Sequence, residues 1–157
     1  MGLDMYLIKR KKGDKKDGSW CGEVAYWRKA NHIHKWMVDN IQANNDDCGY
    51  YEIPKEKLEE LKGICERVYE SLKDSETMKK KIHTGWENGK ATYAEIDVFI
   101  HTELAEELLP TQEGFFFGST DYDEWYLDGL RETIDQITNI LKETDFKKDY
   151  IVYTSSW

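Results

Sequence analysis

The segment Tyr26–Trp36 holds the densest set of side chains that could recognise a small ligand. It reads Tyr-Trp-Arg-Lys-Ala-Asn-His-Ile-His-Lys-Trp, which brings aromatic rings, cations, an amide and two imidazoles close together. Aromatic faces stack on bases, guanidinium groups pair with phosphates, and amides or imidazoles orient polar atoms of a ligand. The pattern predicts a pocket for a nucleotide-like small molecule. The candidate ligand-binding residues here are Trp27, Arg28, Lys29, Asn31, His34 and Trp36.

The same segment also has an interpretation that needs no ligand. Its periodicity predicts a helix from Ala25 to about Ala43, in which Trp27, Asn31 and His34 lie along one edge of an apolar arc. His32 falls on the opposite, polar side. Trp27 and His34 could then simply complete the core with their polar atoms hydrogen-bonded. Because two positions in a helix are separated by about 200°, His32 and His34 cannot chelate one metal ion.

A second candidate segment is Phe115–Tyr126, where an apolar stretch, Phe115–Phe117, meets Gly118 and a helix predicted over residues 123–143. A strand-to-helix junction presents free backbone N–H groups, which attract phosphate. The neighbouring carboxylates favour helix capping instead, and that alternative stays open. The loop lacks the G-K-[ST] of a P-loop and the Gly and distal Glu of an EF-hand, so no metal site is predicted. The candidates here are Ser119, Thr120, Asp121, Tyr122 and Trp125.

Catalytic signatures are absent from the sequence: neither a nucleophile elbow nor an H-E-x-x-H motif occurs. No catalytic residue and no cofactor is therefore predicted. An enzyme that degrades the same ligand remains an alternative, with His34 or His32 as general acid–base and Asp121 or Asp123 as its partner.

The composition of the chain indicates that it folds as one domain and limits the kinds of molecule that it is expected to bind. The 157 residues suit one domain, residues 1–157, and 39% hydrophobic with 13% aromatic content predicts that the chain folds. Twenty-two Lys and Arg against 31 Asp and Glu give a net charge of -9, which argues against general nucleic-acid binding. An acidic, aromatic-rich surface also fits an inhibitor that blocks a host protein. The abundant aromatic residues leave assembly into a homo-oligomer open.

The cysteines and the apolar runs predict a soluble protein of the cytoplasm. Cys21, Cys48 and Cys65 are odd in number and form no C-x-x-C motif, so reduced thiols are expected. The basic cluster near the N-terminus follows a short apolar stretch, the reverse of a secretory signal. No run approaches the length of a membrane-spanning helix, so no membrane association is expected.

The pattern along the chain predicts an α+β fold, with a mixed or antiparallel sheet of about four strands packed against about three main helices. The residues from Lys11 to Gly18 form a turn or mobile loop, and those from Asp74 to Lys90 a short helical piece and a loop. The sheet is expected to gather both chain ends. The main helices are placed at residues 25–43, 55–73 and 123–143, with a short helix before Pro110. The strands are placed at residues 3–9, 50–53, 91–100, 115–117 and 150–155.

Four stretches resemble a family of small bacteriophage and prophage proteins. They are MGLDMYL at the N-terminus, YWRKAN followed by IHKW, LLP at Leu108–Pro110, and GFFFGSTDYDEWY. The resemblance implies a viral origin and action in the host cell cytoplasm, but no reaction or catalytic residue. With the aromatic and basic segments, it suggests a protein that sequesters a host antiviral signal, such as a cyclic nucleotide or an ADP-ribose derivative.

Overall fold

The computed structural model describes residues 2–14 and 22–157. Within these residues the strands are β1 (Asp4–Lys11), β2 (Glu23–Arg28), β3 (Tyr51–Ile53), β4 (Thr77–Glu87), β5 (Lys90–Phe99) and β6 (Asp149–Ser156). The helices are α1 (Asn31–Asn40), α2 (Lys55–Leu72), α3 (Glu103–Leu108) and α4 (Glu124–Glu143). The predicted α+β class is confirmed. Residues 15–18 of the predicted Lys11–Gly18 loop, and Cys21, lie outside the described residues.

The main sheet is antiparallel throughout, with the strand order β2-β1-β6-β3. Its two central strands come from the two ends of the chain, paired in register from Asp4 opposite Ser156 to Lys11 opposite Asp149. This confirms the prediction that the sheet gathers both chain ends. Ile151, Val152 and Tyr153 of β6 are fully buried, because strands lie on both sides of them and the core covers them.

Helices α2 and α4 pack against each other and share the core with the sheet. Five apolar residues of α2 that recur at helical spacing are buried, namely Leu58, Leu61, Cys65, Val68 and Leu72, and Ile64 and Tyr69 are partly buried beside them. Asp123 begins α4 as its N-cap, since its side chain accepts a hydrogen bond from the backbone N–H of Tyr126. No helix in the described ranges is both long and apolar enough to cross a membrane.

The predicted helix from Ala25 to Ala43 is wrong over its first part. Residues Glu23–Arg28 form edge strand β2, and the helix is confined to Asn31–Asn40. Val-Ala-Tyr-Trp is rich in strand-forming residues, and its buried positions, Ala25 and Trp27, alternate with more exposed ones. Lys29 separates strand from helix with a φ of +55°, which neither element tolerates. Pairing with β1 therefore outweighs the helical periodicity.

Two further predicted elements are corrected. Residues Asp74–Lys90 contain no helix: β4 and β5 form a two-stranded ribbon. The ribbon turns at Asn88 and Gly89, whose φ values of +51° and +75° suit the primed turns that join hairpin strands. Phe115–Phe117 forms a turn instead of a strand, because Phe116 has a φ of +65° and the Phe117 N–H donates to Gly114 O at 3.1 Å.

Candidate functional site

Both candidate segments line one cleft of about 810 Å³. The cleft lies between residues 26–32, residues 118–123 and the face of α4 up to residue 136. Strand β2 forms one wall because it is the edge of the sheet next to α4. The register of that contact is set by Gln136, whose amide accepts from Tyr26 N–H at 2.7 Å and donates to Tyr26 O at 3.1 Å.

Seven of the eleven predicted binding residues line this cleft: Trp27, Arg28, Lys29, Asn31, Ser119, Asp121 and Trp125. The other four do not. Thr120 and Tyr122 instead fasten the loop to Thr111: Thr120 O accepts from the Thr111 hydroxyl at 2.9 Å, and the Tyr122 hydroxyl accepts from Thr111 N–H at 3.3 Å. Trp36 is 6% exposed and lines a separate groove of about 220 Å³.

His34 is turned away from the cleft into the core, which corrects its predicted role. Its Nδ1 lies 2.6 Å from the Tyr153 hydroxyl, and its Nε2 lies 2.9 Å from Asp46 Oδ2. Burial raises the pKa of Tyr153, so the phenol keeps its proton. All three groups are satisfied when Tyr153 donates to Nδ1 and Nε2–H donates to the Asp46 carboxylate. His34 thus ties α1 to β6 and to the loop at residue 46.

Trp27 forms the floor of the cleft instead of a free stacking surface. It is 1% exposed, and its indole N–H donates to Thr133 Oγ1 at 3.0 Å, while the Thr133 hydroxyl donates to Gly129 O at 2.6 Å. The aromatic ring that is open to a ligand is Trp125, which is 81% exposed at the rim.

Asn31 holds the loop that forms the second wall. Its Nδ2 donates to Phe117 O at 3.1 Å and to Ser119 O at 2.8 Å, and its Oδ1 accepts from Gln112 N–H at 2.9 Å. Because both amide protons and the carbonyl are engaged, Asn31 shapes the cleft and has little capacity left for a ligand.

Backbone strain occurs at Lys29, which lines the cleft, and at Phe116 in the neighbouring loop, as it also does away from the cleft at Ala43, Asn44, Cys48 and Asn88. Lys29 and Phe116 both have positive φ, +55° and +65°, which is uncommon for residues with bulky side chains. Hydrogen bonds through Leu3 hold both: Lys29 N–H donates to Leu3 O at 2.7 Å, and Leu3 N–H donates to Phe116 O at 3.3 Å. Gly118, also at positive φ, lets the loop pass close to Lys29, since a Cβ there would lie 3.1 Å from Lys29 Cβ. Strain held in this way is characteristic of binding sites.

The charges of the cleft are arranged on opposite walls. Arg28 and Lys29 lie on the β2 side, and Arg28 also pairs with Asp4 at 3.3 Å. Carboxylates dominate the facing wall, but several have partners. Asp121 pairs with Lys80 from β4, and Asp128 pairs with Arg131 at 2.5 Å.

His32 is the functional candidate whose placement the sequence did not predict. It is 4% exposed, its ring packs 4.2 Å from that of Tyr126, and it lines the cleft. Burial lowers the pKa of His32 to about 3, so the imidazole is neutral at pH 7. Its buried Nε2 has no hydrogen-bond partner in the described part of the chain. Gly129 is the residue in the sequence that could have indicated this contact. A glycine inside a helix destabilises it by about 1 kcal/mol relative to alanine, so its presence suggests that another side chain packs closely against it.

Gly129→Ala is expected to lower the free energy of unfolding by about 1–3 kcal/mol, the usual effect of overpacking. A Cβ at this position would lie 2.6 Å from His32 Cε1 and 2.7 Å from Nε2. The His32 ring also packs against the ring of Tyr126, which limits how far it can move away. Urea unfolding measures the change. Gly63→Ala in α2 is the matched control, because no atom lies within 4 Å of its added Cβ and the helix should gain about 0.5–1 kcal/mol. Equal stabilisation by both substitutions would contradict the close contact.

No protein-family model, curated protein or solved structure matches the chain. Within residues 2–14 and 22–157, no group of three or more His, Cys, Asp or Glu side chains is placed to hold a metal ion. The resemblance to phage proteins therefore stays a prediction.

Proposed function

We propose that the cleft binds a nucleotide-like small molecule and that the protein acts by sequestering it. The observation that carries the proposal is the meeting of Arg28, Lys29 and the exposed ring of Trp125 around one cleft. Guanidinium and ammonium groups suit a phosphate, and an exposed indole suits a base. A volume of about 810 Å³ falls within the range of ligand pockets, about 300–1,000 Å³.

The distribution of charge favours a ligand whose phosphate contacts only one wall. Arg28 and Lys29 attract the anion, whereas Glu132 and Asp135 on the facing wall would repel a second one. Neutral hydroxyl and amino groups are instead good donors to those carboxylates. A nucleotide with one phosphate or diphosphate group fits this arrangement better than a polyphosphate chain.

The positions and partners of the predicted acid–base groups favour capture of the ligand over its degradation. His34 lies outside the cleft and is bonded to Tyr153 and Asp46, while Asp121 is paired with Lys80. His32 does line the cleft, but burial lowers its pKa to about 3, so at pH 7 it is a weak base and has no imidazolium proton to donate. Asp123 is committed to capping α4. With the phage resemblance, sequestration of a host antiviral signal is the role that we propose, the signal being a cyclic nucleotide or an ADP-ribose derivative.

Calorimetric titration with AMP, cyclic AMP, cyclic di-AMP and ADP-ribose tests the proposal. At least one of them is expected to bind, and Arg28→Gln with Lys29→Gln is expected to weaken that binding at least about 10-fold, because a charge-assisted hydrogen bond contributes about 1.5–3 kcal/mol. Lys62→Gln on α2 is the control, since Lys62 does not line the cleft.

Two results would count against parts of the proposal. Failure of all four ligands to bind would contradict a nucleotide site. Recovery of a chemically altered ligand after denaturation of the complex would show catalysis instead of capture.

A further inference from the structure

Two carboxylates of the cleft are left without a partner. Glu132 and Asp135 both line it, and within the described residues neither makes a hydrogen bond or an ion pair. They lie three positions apart on α4, a spacing that makes side chains neighbours on one helix face. Burial and the nearby Asp128 raise the pKa of Glu132.

The packing of α4 on β2 places these carboxylates opposite the cations. Tyr26 is bonded to Gln136 and Trp27 to Thr133, so the helix runs antiparallel to the strand. Arg28 lies two residues beyond Tyr26, which is about 7 Å along the strand from the Tyr26–Gln136 contact. Glu132 lies four residues before Gln136, which is about 6 Å along the helix in the same direction. Glu132 is thus level with Arg28 on the facing wall, and the two do not pair.

A second polar group points to a ligand at the same place. His32, which is neutral and almost wholly buried, also lines the cleft, and its Nε2 has no partner in the described part of the chain. Buried polar atoms are normally hydrogen-bonded, so the unpaired Nε2 in the wall of the cleft calls for an explanation, and a polar group of a ligand would supply one.

A molecule that satisfies both walls must carry an anionic group and several hydrogen-bond donors a short distance from it. A polyanion would be repelled by Glu132 and Asp135, whereas a single anionic group can pair with Lys29, which makes no ion pair within the described residues. A 5′-ribonucleotide meets both demands, because the cis-hydroxyls of its ribose lie close to its phosphate. Carboxylates are the groups that bind the ribose 2′-hydroxyl in dinucleotide folds.

We propose that Glu132 and Asp135 accept hydrogen bonds from the ribose hydroxyls of the bound nucleotide, so that the cleft selects ribonucleotides over deoxynucleotides. This inference rests on the proposed function of the cleft. Arg28 and Lys29 bind the phosphate, and the two carboxylates recognise the ribose through its hydroxyl groups.

The test compares AMP, GMP, CMP and UMP with their 2′,3′-dideoxy counterparts by calorimetry. The ribonucleotide that binds best is expected to bind at least about 10-fold more tightly than its dideoxy form, since a site built to bond a hydroxyl rejects an analogue without it. Glu132→Ala with Asp135→Ala is expected to reduce this preference to less than about 3-fold, and to leave binding of the dideoxy form unchanged or stronger.

The control is Glu143→Ala, which removes a carboxylate from the same helix outside the cleft and is expected to keep the full preference. Both positions of the double variant are exposed on α4, and thermal unfolding checks that it folds. Binding without a preference for ribose, or a preference that survives the double substitution, would overturn the inference alone. Failure of all four ribonucleotides to bind would overturn the inference, and failure of cyclic AMP, cyclic di-AMP and ADP-ribose as well would overturn the nucleotide site.

Discussion

Asn31→Ala is expected to lower the free energy of unfolding by about 3–5 kcal/mol and to abolish ligand binding. The substitution leaves three main-chain groups without their partner, namely the carbonyls of Phe117 and Ser119 and the N–H of Gln112. An unsatisfied buried group costs about 1–3 kcal/mol, which applies to the Phe117 carbonyl, and the cost is smaller at Ser119 and Gln112, whose bonds are only partly buried. Urea unfolding measures the loss of stability, and calorimetry measures the loss of binding.

Asn40→Ala is the matched control for this prediction. Asn40 lies on the same helix, and its amide donates a single hydrogen bond, 2.9 Å, to Trp36 O at a partly exposed position. Its replacement is expected to change the unfolding free energy by about 0.5 kcal/mol or less, as is usual for surface positions. A similar loss in both variants would contradict the role of Asn31 as the clamp of the loop.

His34→Leu is expected to destabilise the protein by about 3–4 kcal/mol. The imidazole is fully buried, and its removal separates the Tyr153 hydroxyl and the Asp46 carboxylate from their shared partner. The buried Tyr153 hydroxyl left without its partner, the lost bond to the partly exposed Asp46 carboxylate and the imperfect fit of leucine to the imidazole space supply a penalty of this size. Thermal and urea unfolding measure it.

A double-mutant cycle with Tyr153→Phe separates the polar contact from general packing. Phenylalanine fills the space of Tyr153 without a hydroxyl, so the double variant no longer has an unpaired phenol. The double variant is therefore expected to be more stable than the sum of the two single losses predicts, by about 0.5–3 kcal/mol. Strict additivity would show that the bond between His34 and Tyr153 does not contribute.

Elements whose apolar spacing agrees with their final packing could be predicted from the sequence. Helix α2 was predicted over residues 55–73 and is observed at Lys55–Leu72, because its stripe of buried residues serves both the local helix and the core. Helix α4 with its Asp123 cap, and the paired strands β1 and β6, were predicted for the same reason. Local preference and tertiary packing demand the same structure in these segments.

Strand β2 and ribbon strand β4 could not be predicted in this way. The sequence around Trp27 satisfies helical and strand periodicity at once, and only the open edge of β1 decides between them. Residues Thr77–Glu87 are mostly exposed, so they carry no clear apolar pattern, and β4 exists because it pairs with β5. The Asn88–Gly89 turn was the local signal for that hairpin.

For the candidate site, the sequence shows which residue types are available, whereas strand pairing and helix packing place only some of them together. It identified two segments rich in aromatic, basic and polar groups, and both reach the same cleft. The sequence could not show that Trp27 and His34 are buried and hydrogen-bonded in the core. Their burial depends on partners more than a hundred positions away, Thr133 for Trp27 and Tyr153 for His34. Strand pairing and helix packing also brought Glu132 and Asp135 to the facing wall, since no local pattern relates α4 to β2.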